Sequence, residues 1–160
     1  MPDDTAQDPF VVPVARVLLL LAGFSRRRPD GLTTGEVARI DFLLRHPSVL
    51  GRLATDAGRP PGAELAATES ERLVADSAAL LVRYGPWDSR YRLVLGRLIA
   101  LGLITPSTDL AKFTVTARGH TAAVDLRRRG WERVGGLADL AARVLANHDV
   151  EERVRSAVAA

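Results

Sequence analysis

Apolar residues recur at helical spacing along most of the chain, which predicts a mainly α-helical fold. The first apolar segment, from Val14 to Phe24, is apolar on nearly all sides and is therefore typical of a helix that the rest of the protein covers. Pro13 suits the first turn of this helix, because a missing N–H group costs nothing there. Residues 1–12 carry three Asp, two Pro and little periodicity, so we expect them to form a loose arm.

Two capping boxes predict the starts of the second and third helices. In such a box the Thr and Glu side chains satisfy each other's free backbone N–H groups. The pairs are Thr33 with Glu36 and Thr68 with Glu71. We expect the second helix to end at about residue 45, a short turn over residues 48–53, a loop over residues 58–62 and a third helix to about residue 84.

Gly85 and Pro86 form a short turn before a fourth helix, residues 90–101, and this spacing predicts a helix-turn-helix. Asp88 or Ser89 would cap the fourth helix and Gly102 would end it. Two short β segments, residues 103–105 and 112–116, then flank a polar tip and predict a β-hairpin, or wing. The inward face of the fourth helix is expected to comprise Tyr91, Val94, Leu95, Leu98 and Leu101.

The C-terminal third of the chain again has a helical pattern. Thr116 is expected to cap a fifth helix that runs from Ala117 to about Val134. Gly135 and Gly136 are expected to form a hinge, and Asp149 with Glu152 should begin a last helix. Between these points the pattern predicts an amphipathic helix whose apolar face is Leu137, Leu140, Ala141, Val144 and Leu145.

The string ALGLITPSTDLAKFTVTARGHTAAVDL, residues 100–126, resembles the core of winged-helix proteins of the MarR and PadR kind. The shared order is a helix, "xxGLI", a hairpin, "T-x-x-G" and a second helix. The resemblance implies a mainly α fold with a small β-hairpin, that is, a winged helix-turn-helix with additional N- and C-terminal helices. The expected organisation is a loose arm over residues 1–12, a winged-helix domain with N-terminal helices over 13–134, and accessory helices over 135–160.

A finer resemblance rests on IDFLLRHP, residues 40–47, and on YGPW, residues 84–87, ahead of the winged helix. This order resembles the middle components of bacterial ABC-three-component systems, which accompany an ABC-type ATPase in conflict or phage-defence loci. The resemblance implies a non-enzymatic adaptor whose partner is an ABC-type ATPase. It assigns no site residue.

The outward face of the fourth helix bears on function. A helix that reads DNA bases should carry Arg, Asn, Gln, Ser or Thr there. Helical projection instead gives a small, apolar stripe, which suits protein contact better, including a homodimer formed by this stripe or by the helices after Gly136. Trp87, in the preceding turn, would either lock that turn against the core or anchor the partner. The predicted interface is Ser89, Leu93, Gly96 and Ala100, together with Trp87.

The alternative function is a MarR- or PadR-like DNA-binding transcriptional regulator. Contact with phosphates needs only positive charge, so weak DNA binding does not require a base-reading face. The wing tip, however, contains Asp109 and no basic residue. The side chains that would contact nucleic acid, or would otherwise be solvated flanks, are Arg90, Arg92, Arg97, Lys112 and Arg118.

Composition argues against several kinds of chemistry. The net charge of +3 suggests a nucleic-acid partner, but every basic residue except Lys112 is Arg, a bias typical of a GC-rich genome. The chain has no Cys, which excludes disulfides, thiolate zinc ligands and a cysteine nucleophile. His46, His120 and His148 lie far apart, and no phosphate loop, dinucleotide fingerprint or nucleophile elbow is present. We therefore expect no enzyme activity, no metal and no cofactor.

Two clusters of arginine remain. Arg127–Arg129, with Arg133 nearby, are expected to lie on a solvated helix face, since Asp125 can pair with this cluster one turn away. Arg26–Arg28 have no such partner in the sequence and are the better candidate for phosphate or an acidic partner. The acidic N-terminus is unlike an export signal and no apolar run is long enough to span a bilayer, so we expect a cytoplasmic protein.

Overall fold

The computed structural model describes residues 8–73, 90–145 and 149–159. Over these residues the protein is mainly helical with a small three-stranded antiparallel sheet, which confirms the predicted mainly α fold with a β-hairpin. The predicted turn at Gly85 and Pro86 lies outside the described residues. The helices are α1 (Val11–Phe24), α2 (Thr34–Arg45), α3 (Pro47–Asp56), α4 (Arg90–Ala100), α5 (Ala117–Leu126), α6 (Glu132–Leu145) and α7 (Val150–Ala159), and the strands are β1 (Leu32–Thr33), β2 (Ile104–Pro106) and β3 (Lys112–Val115).

Helix α1 lies in the middle of the core, as its apolar sequence predicts. It packs against α2, α4, α5 and α6, and Val17 and Leu20 are fully buried. Gly23 allows a close approach to α6, because a Cβ there would lie 3.2 Å from the backbone of Ala138. The helix begins at Val11, so the last two residues of the expected arm are helical.

Both predicted capping boxes are confirmed. The Thr33 hydroxyl accepts a hydrogen bond from the Glu36 N–H, and the Glu36 carboxylate accepts one from the Thr33 N–H, each at 3.1 Å. Thr68 and Glu71 make the same two bonds at 3.2 and 3.0 Å. Residues 69–73, the start of the third predicted helix, are helical.

Residues 47–56 form a full helix, α3, where the sequence predicts only a short turn. Pro47 occupies the first turn, where its missing N–H group is harmless. Val49, Leu50 and Leu53 are buried, and α3 packs against α6 and α7. Tertiary burial therefore stabilises a short helix that the local pattern does not reveal.

The sheet contains a strand that the sequence analysis does not predict. Its order is β1-β3-β2, with Leu32 opposite Phe113 and Ile104 opposite Val115. Gly31 brings β1 close to β3, since it has φ +92° and an added Cβ would lie 2.4 Å from the carbonyl oxygen of Phe113. A strand of two residues has no periodicity, so hydrophobic pattern alone could not identify it.

The T-x-x-G motif joins the end of α4 to the start of α5. The Thr116 hydroxyl accepts a hydrogen bond from the Gly119 N–H at 3.0 Å, as expected of a cap, and donates one to the Gly102 carbonyl at 2.7 Å. Gly102 has φ +73° and ends α4. A Cβ on Gly119 would lie 2.0 Å from the Leu103 carbonyl oxygen, so the motif requires glycine at its last position.

The bend after α5 lies at Gly130, and the predicted hinge at Gly135 and Gly136 is wrong. The chain makes a wide turn over Arg127–Trp131, in which Gly130 has φ +103°. Helix α6 then runs unbroken through the two glycines. Its predicted apolar face is buried in the same core as α1, so residues expected in the accessory helices contribute to that core.

The inward face of α4 is confirmed at all but one position. Tyr91, Val94, Leu95 and Leu98 are buried. Leu101 is 51% exposed, because α4 ends at Ala100 and the chain turns at Gly102.

Candidate interaction surface on helix α4

The outward side of α4 carries an uncovered, largely apolar surface, which we call the α4 stripe: Leu93, Gly96 and Ala100. Leu93 is 58% exposed, and a Cβ added to Gly96 would meet nothing within 4 Å. Two further apolar side chains are exposed at the C-terminal end of α4: Ile99 in its last turn and Leu101 directly after it. Ser89 and Trp87, the other predicted interface residues, lie outside the described residues. The stripe is therefore open to a partner over the described part of the helix.

The arm ahead of α1 docks beside this stripe. Nη1 of Arg97 lies 2.5 Å from Oδ2 of Asp8, and the Arg97 guanidinium stacks over the Phe10 ring, 4.9 Å from its centroid. The Phe10 N–H and Arg97 together lower the pKa of Asp8, so its carboxylate stays charged. Residues 8–10, expected in a loose arm, are thus held against α4. Arg97, a candidate phosphate contact, is already paired with an acid.

The other nucleic-acid candidates come from three elements of the fold. Lys112 lies on β3 opposite Thr33, and Arg118 extends from α5 towards Gly102. Arg90 and Arg92 are exposed at the start of α4. These positions place basic groups on two helices and a strand.

The tip of the hairpin is acidic and apolar. Asp109 accepts hydrogen bonds from the Ser107 hydroxyl at 2.5 Å and the Ala111 N–H at 3.1 Å. These bonds lower the pKa of Asp109, which keeps a negative charge at the tip. Leu110 next to it is 70% exposed. Such a tip would repel phosphate rather than bind it.

Beneath α4 lies a charged cluster that the sequence analysis missed. Asp41 of α2 is only 1% exposed. Arg16 of α1 binds both of its carboxylate oxygens, with Nη2 to Oδ2 at 3.2 Å, and Nε of Arg45 lies 3.4 Å from Oδ2. The Tyr91 hydroxyl of α4 donates to Oδ2 at 2.5 Å. Burial and the neighbouring carboxylate raise the pKa of Tyr91, so the phenol remains a donor.

This cluster positions α4 and offers no obvious chemistry. The Asp41 carboxylate is enclosed by two guanidinium groups and a phenol, so a substrate has no access to it. The sequence does hold one local sign of the cluster, since Asp41 interrupts an apolar run and Arg45 follows one turn later. Arg16 and Tyr91 come from distant segments.

The two arginine clusters are divided by the fold. Arg28 pairs with Glu36 at 2.8 Å, whereas Arg26 and Arg27 line a cleft between α1, α5 and α6. In the second cluster Arg129 pairs with Asp125, as expected, at 3.1 Å. Arg127 and Arg133 also have acidic partners: Glu132 and Asp139 for the first, Glu71 for the second.

His46 is half-buried at the junction of α2 and α3, His120 is exposed on α5, and His148 lies outside the described residues. In the described ranges no group of three or more acidic or histidine side chains could hold a metal ion. No helix within those ranges has the length and apolar character needed to cross a membrane.

Comparison of the chain with models of protein families, with curated proteins and with solved structures finds no match.

Proposed function

We propose that this protein is a non-enzymatic adaptor of the winged-helix type, which binds another protein through the α4 stripe. The observation that carries the proposal is the exposure of Leu93 beside Gly96 and Ala100 on a helix whose opposite face is fully packed. Apolar side chains grouped on one exposed face are a feature of protein contact sites. Small residues there allow a partner helix to approach closely.

The order of elements supports the winged-helix part of the proposal. Helix α1, strand β1 and helix α2 are followed later by α4 and the β2–β3 hairpin, with β1 paired to the hairpin. Helix α4 directly precedes the hairpin, the place that the recognition helix has in DNA-binding members of this class. In the sequence, α3 and residues 57–89 lie between α2 and α4. This long segment is a departure from the simplest winged-helix order.

The partner we propose is an ABC-type ATPase, for which this protein would be the bridging middle component of a three-component conflict or phage-defence system. Support for this partner comes from the sequence resemblance over residues 40–47 and 84–87. A homodimer through the same stripe is the competing use of this surface, since the stripe cannot contact a second copy and the ATPase at the same time. Either contact requires the stripe itself, Leu93, Gly96 and Ala100, to stay apolar and uncharged.

Two variants test the stripe. Gly96→Leu adds bulk where the free protein has open space, and Leu93→Glu places a charge in the contact. We expect either change to abolish the contact that the stripe makes: capture of an ABC-type ATPase, or self-association, measured as solution mass. Leu110→Glu, on the hairpin tip, is the matched control because it adds the same charge at another exposed leucine. Unchanged mass and capture in both stripe variants would refute the proposal.

DNA binding is the second candidate, favoured by the position of α4 and by exposed Arg92 and Arg118. It predicts a DNA mobility shift that weakens as salt rises. Arg92→Gln and Arg118→Gln should each lower that salt dependence by about one phosphate contact. Absence of a shift at low salt excludes this function, while the pairing of Arg97 with Asp8 already argues against it.

A further inference from the structure

A cleft of about 840 Å³ lies between the C-terminal end of α1, the α5 helix and α6. Its walls are partly apolar, since the buried side chains of Leu19 and Ala123 line it. Basic side chains from three separate elements also line it. They are Arg26 and Arg27 after α1, Arg127 after α5, and Arg143 on α6.

Arg127 is already compensated by acidic partners. Its Nη1 lies 2.9 Å from Oδ2 of Asp139, and its Nε and Nη2 bind the Glu132 carboxylate at 3.1 and 2.6 Å. These hydrogen bonds raise the pKa of Arg127, and Gly135 leaves room for its guanidinium. Arg127 therefore braces the cleft wall, and the two carboxylates more than balance its charge.

The remaining three arginines have no such compensation. Asp139 precedes Arg143 by one helical turn and would be its natural partner, but its Oδ2 is bound to Arg127. Arg28 turns to Glu36, which leaves Arg26 and Arg27 directed at the cleft. Among the described residues, no carboxylate pairs with Arg26, Arg27 or Arg143. The cleft consequently gathers uncompensated positive charge from two elements of the fold, which attracts anions.

We propose that this cleft binds a small molecule that carries a diphosphate or triphosphate group. Guanidinium groups match phosphate oxygens in paired hydrogen bonds, and a diphosphate carries several negative charges where a single carboxylate carries one. The volume lies within the range of small-molecule sites, so it leaves room for the rest of a ligand of nucleotide size against Leu19 and Ala123. No residue of α4 lines the cleft, so this site is independent of the proposed adaptor surface.

The test measures binding of inorganic pyrophosphate to the full chain by calorimetry at low salt. The cleft variant is Arg26→Gln combined with Arg27→Gln. The matched control is Arg52→Gln combined with Arg59→Gln, which removes the same charge at two exposed positions outside the cleft. We expect the cleft variant to weaken pyrophosphate binding ~10-fold or more and the control to bind as the parent does. Arg143→Gln provides a second variant if the double change alters the melting temperature.

A competing short DNA duplex distinguishes two sources of phosphate. Pyrophosphate binding that the duplex does not displace supports a small-molecule ligand. Displacement that depends on Arg26 and Arg27 but not on the control pair would overturn the small-molecule proposal and assign the phosphate site to a nucleic-acid backbone. Two further results would overturn the proposal: no pyrophosphate binding, or equal weakening in the cleft and control variants, which general positive charge would explain.

Discussion

The Tyr91 hydroxyl donates a hydrogen bond of 2.5 Å to Oδ2 of Asp41, which joins two residues 50 positions apart in the sequence. The bond ties α4 to α2, and Arg16 extends the same cluster to α1. One buried carboxylate therefore adds a polar link, beside the apolar packing of Val94, Leu95 and Leu98, that fixes the helix carrying the proposed contact surface.

Removing the Asp41 carboxylate should destabilise the folded protein. Asp41→Ala would leave the largely buried Arg16 and the Tyr91 hydroxyl without their partner, so we expect a loss of about 3–5 kcal/mol in the free energy of unfolding. Tyr91→Phe removes one hydrogen bond to a charged group and should cost about 1.5–3 kcal/mol. Urea denaturation measures both. Asp56→Asn, at an exposed position, is the control and should change stability by less than about 0.5 kcal/mol. A mild effect of Asp41→Ala would show that the cluster does not hold the helices.

The same substitution at two glycines should have opposite effects. Gly96→Ala meets open space on an exposed helix, so the higher helix propensity of Ala should raise stability by up to about 1 kcal/mol. Gly119→Ala would bring a Cβ within 2.0 Å of the Leu103 carbonyl oxygen. Because backbone must move to relieve that contact, we expect a loss of about 1–3 kcal/mol or more. Thermal unfolding of the two variants side by side tests the close approach; equal melting temperatures would contradict it.

Docking of the arm on α4 should be separable from folding. Asp8→Asn removes an exposed ion pair with Arg97 and should leave the global unfolding transition unchanged. It should, however, speed amide hydrogen exchange at Phe10, whose N–H is bonded to the Asp8 side chain at 2.9 Å. Asp30→Asn, in the loop before β1, serves as the control. Exchange at Phe10 that is the same in both variants would mean that the arm is not held by Asp8.

Stability should fall on mild acidification because of His46. Burial, and then the Arg45 charge, lower the pKa of His46 from its ordinary value of 6.5, while Asp41 acts weakly in the other direction. The unfolded chain thus binds a proton at this histidine more readily than the folded chain does. The contribution of neutral His46 to stability is therefore complete above about pH 6.5 and is lost as the pH falls below that value. Melting temperatures between about pH 5 and 8 measure the slope, a range in which ordinary carboxylates stay ionised. His46→Gln should reduce the slope of melting temperature against pH. An unchanged slope would assign the effect to other groups.

Local signals were sufficient for much of the fold. Thr33 with Glu36, and Thr116 with Gly119, are contacts between near neighbours in sequence, so their spacing alone predicts the caps that the structure contains. The exposure of Leu93 also follows from its helical position relative to the buried Tyr91.

Features made by distant residues were beyond the sequence analysis. From the sequence alone, Gly135 suggests a hinge. In the structure, the absence of a side chain at Gly135 leaves room for the Arg127 guanidinium, which comes from the other side of the bend. The partner of Arg97 lies 89 positions away at Asp8, and no local pattern connects them. The candidate surface was therefore predictable as a stripe on one helix, whereas its docked arm and its buried support were not.

The contact between Gly23 and Ala138 bears on synthesis of the chain. Helix α1 leaves the ribosome well before α6, yet the two cover each other's apolar faces. Until α6 emerges, the side of α1 around Gly23 lacks its permanent cover, although α2, α4 and α5 also pack against α1, and the nascent chain relies there on chaperones or on transient shielding. Translational pauses within α6 would prolong that exposure and favour aggregation of the unfinished polypeptide.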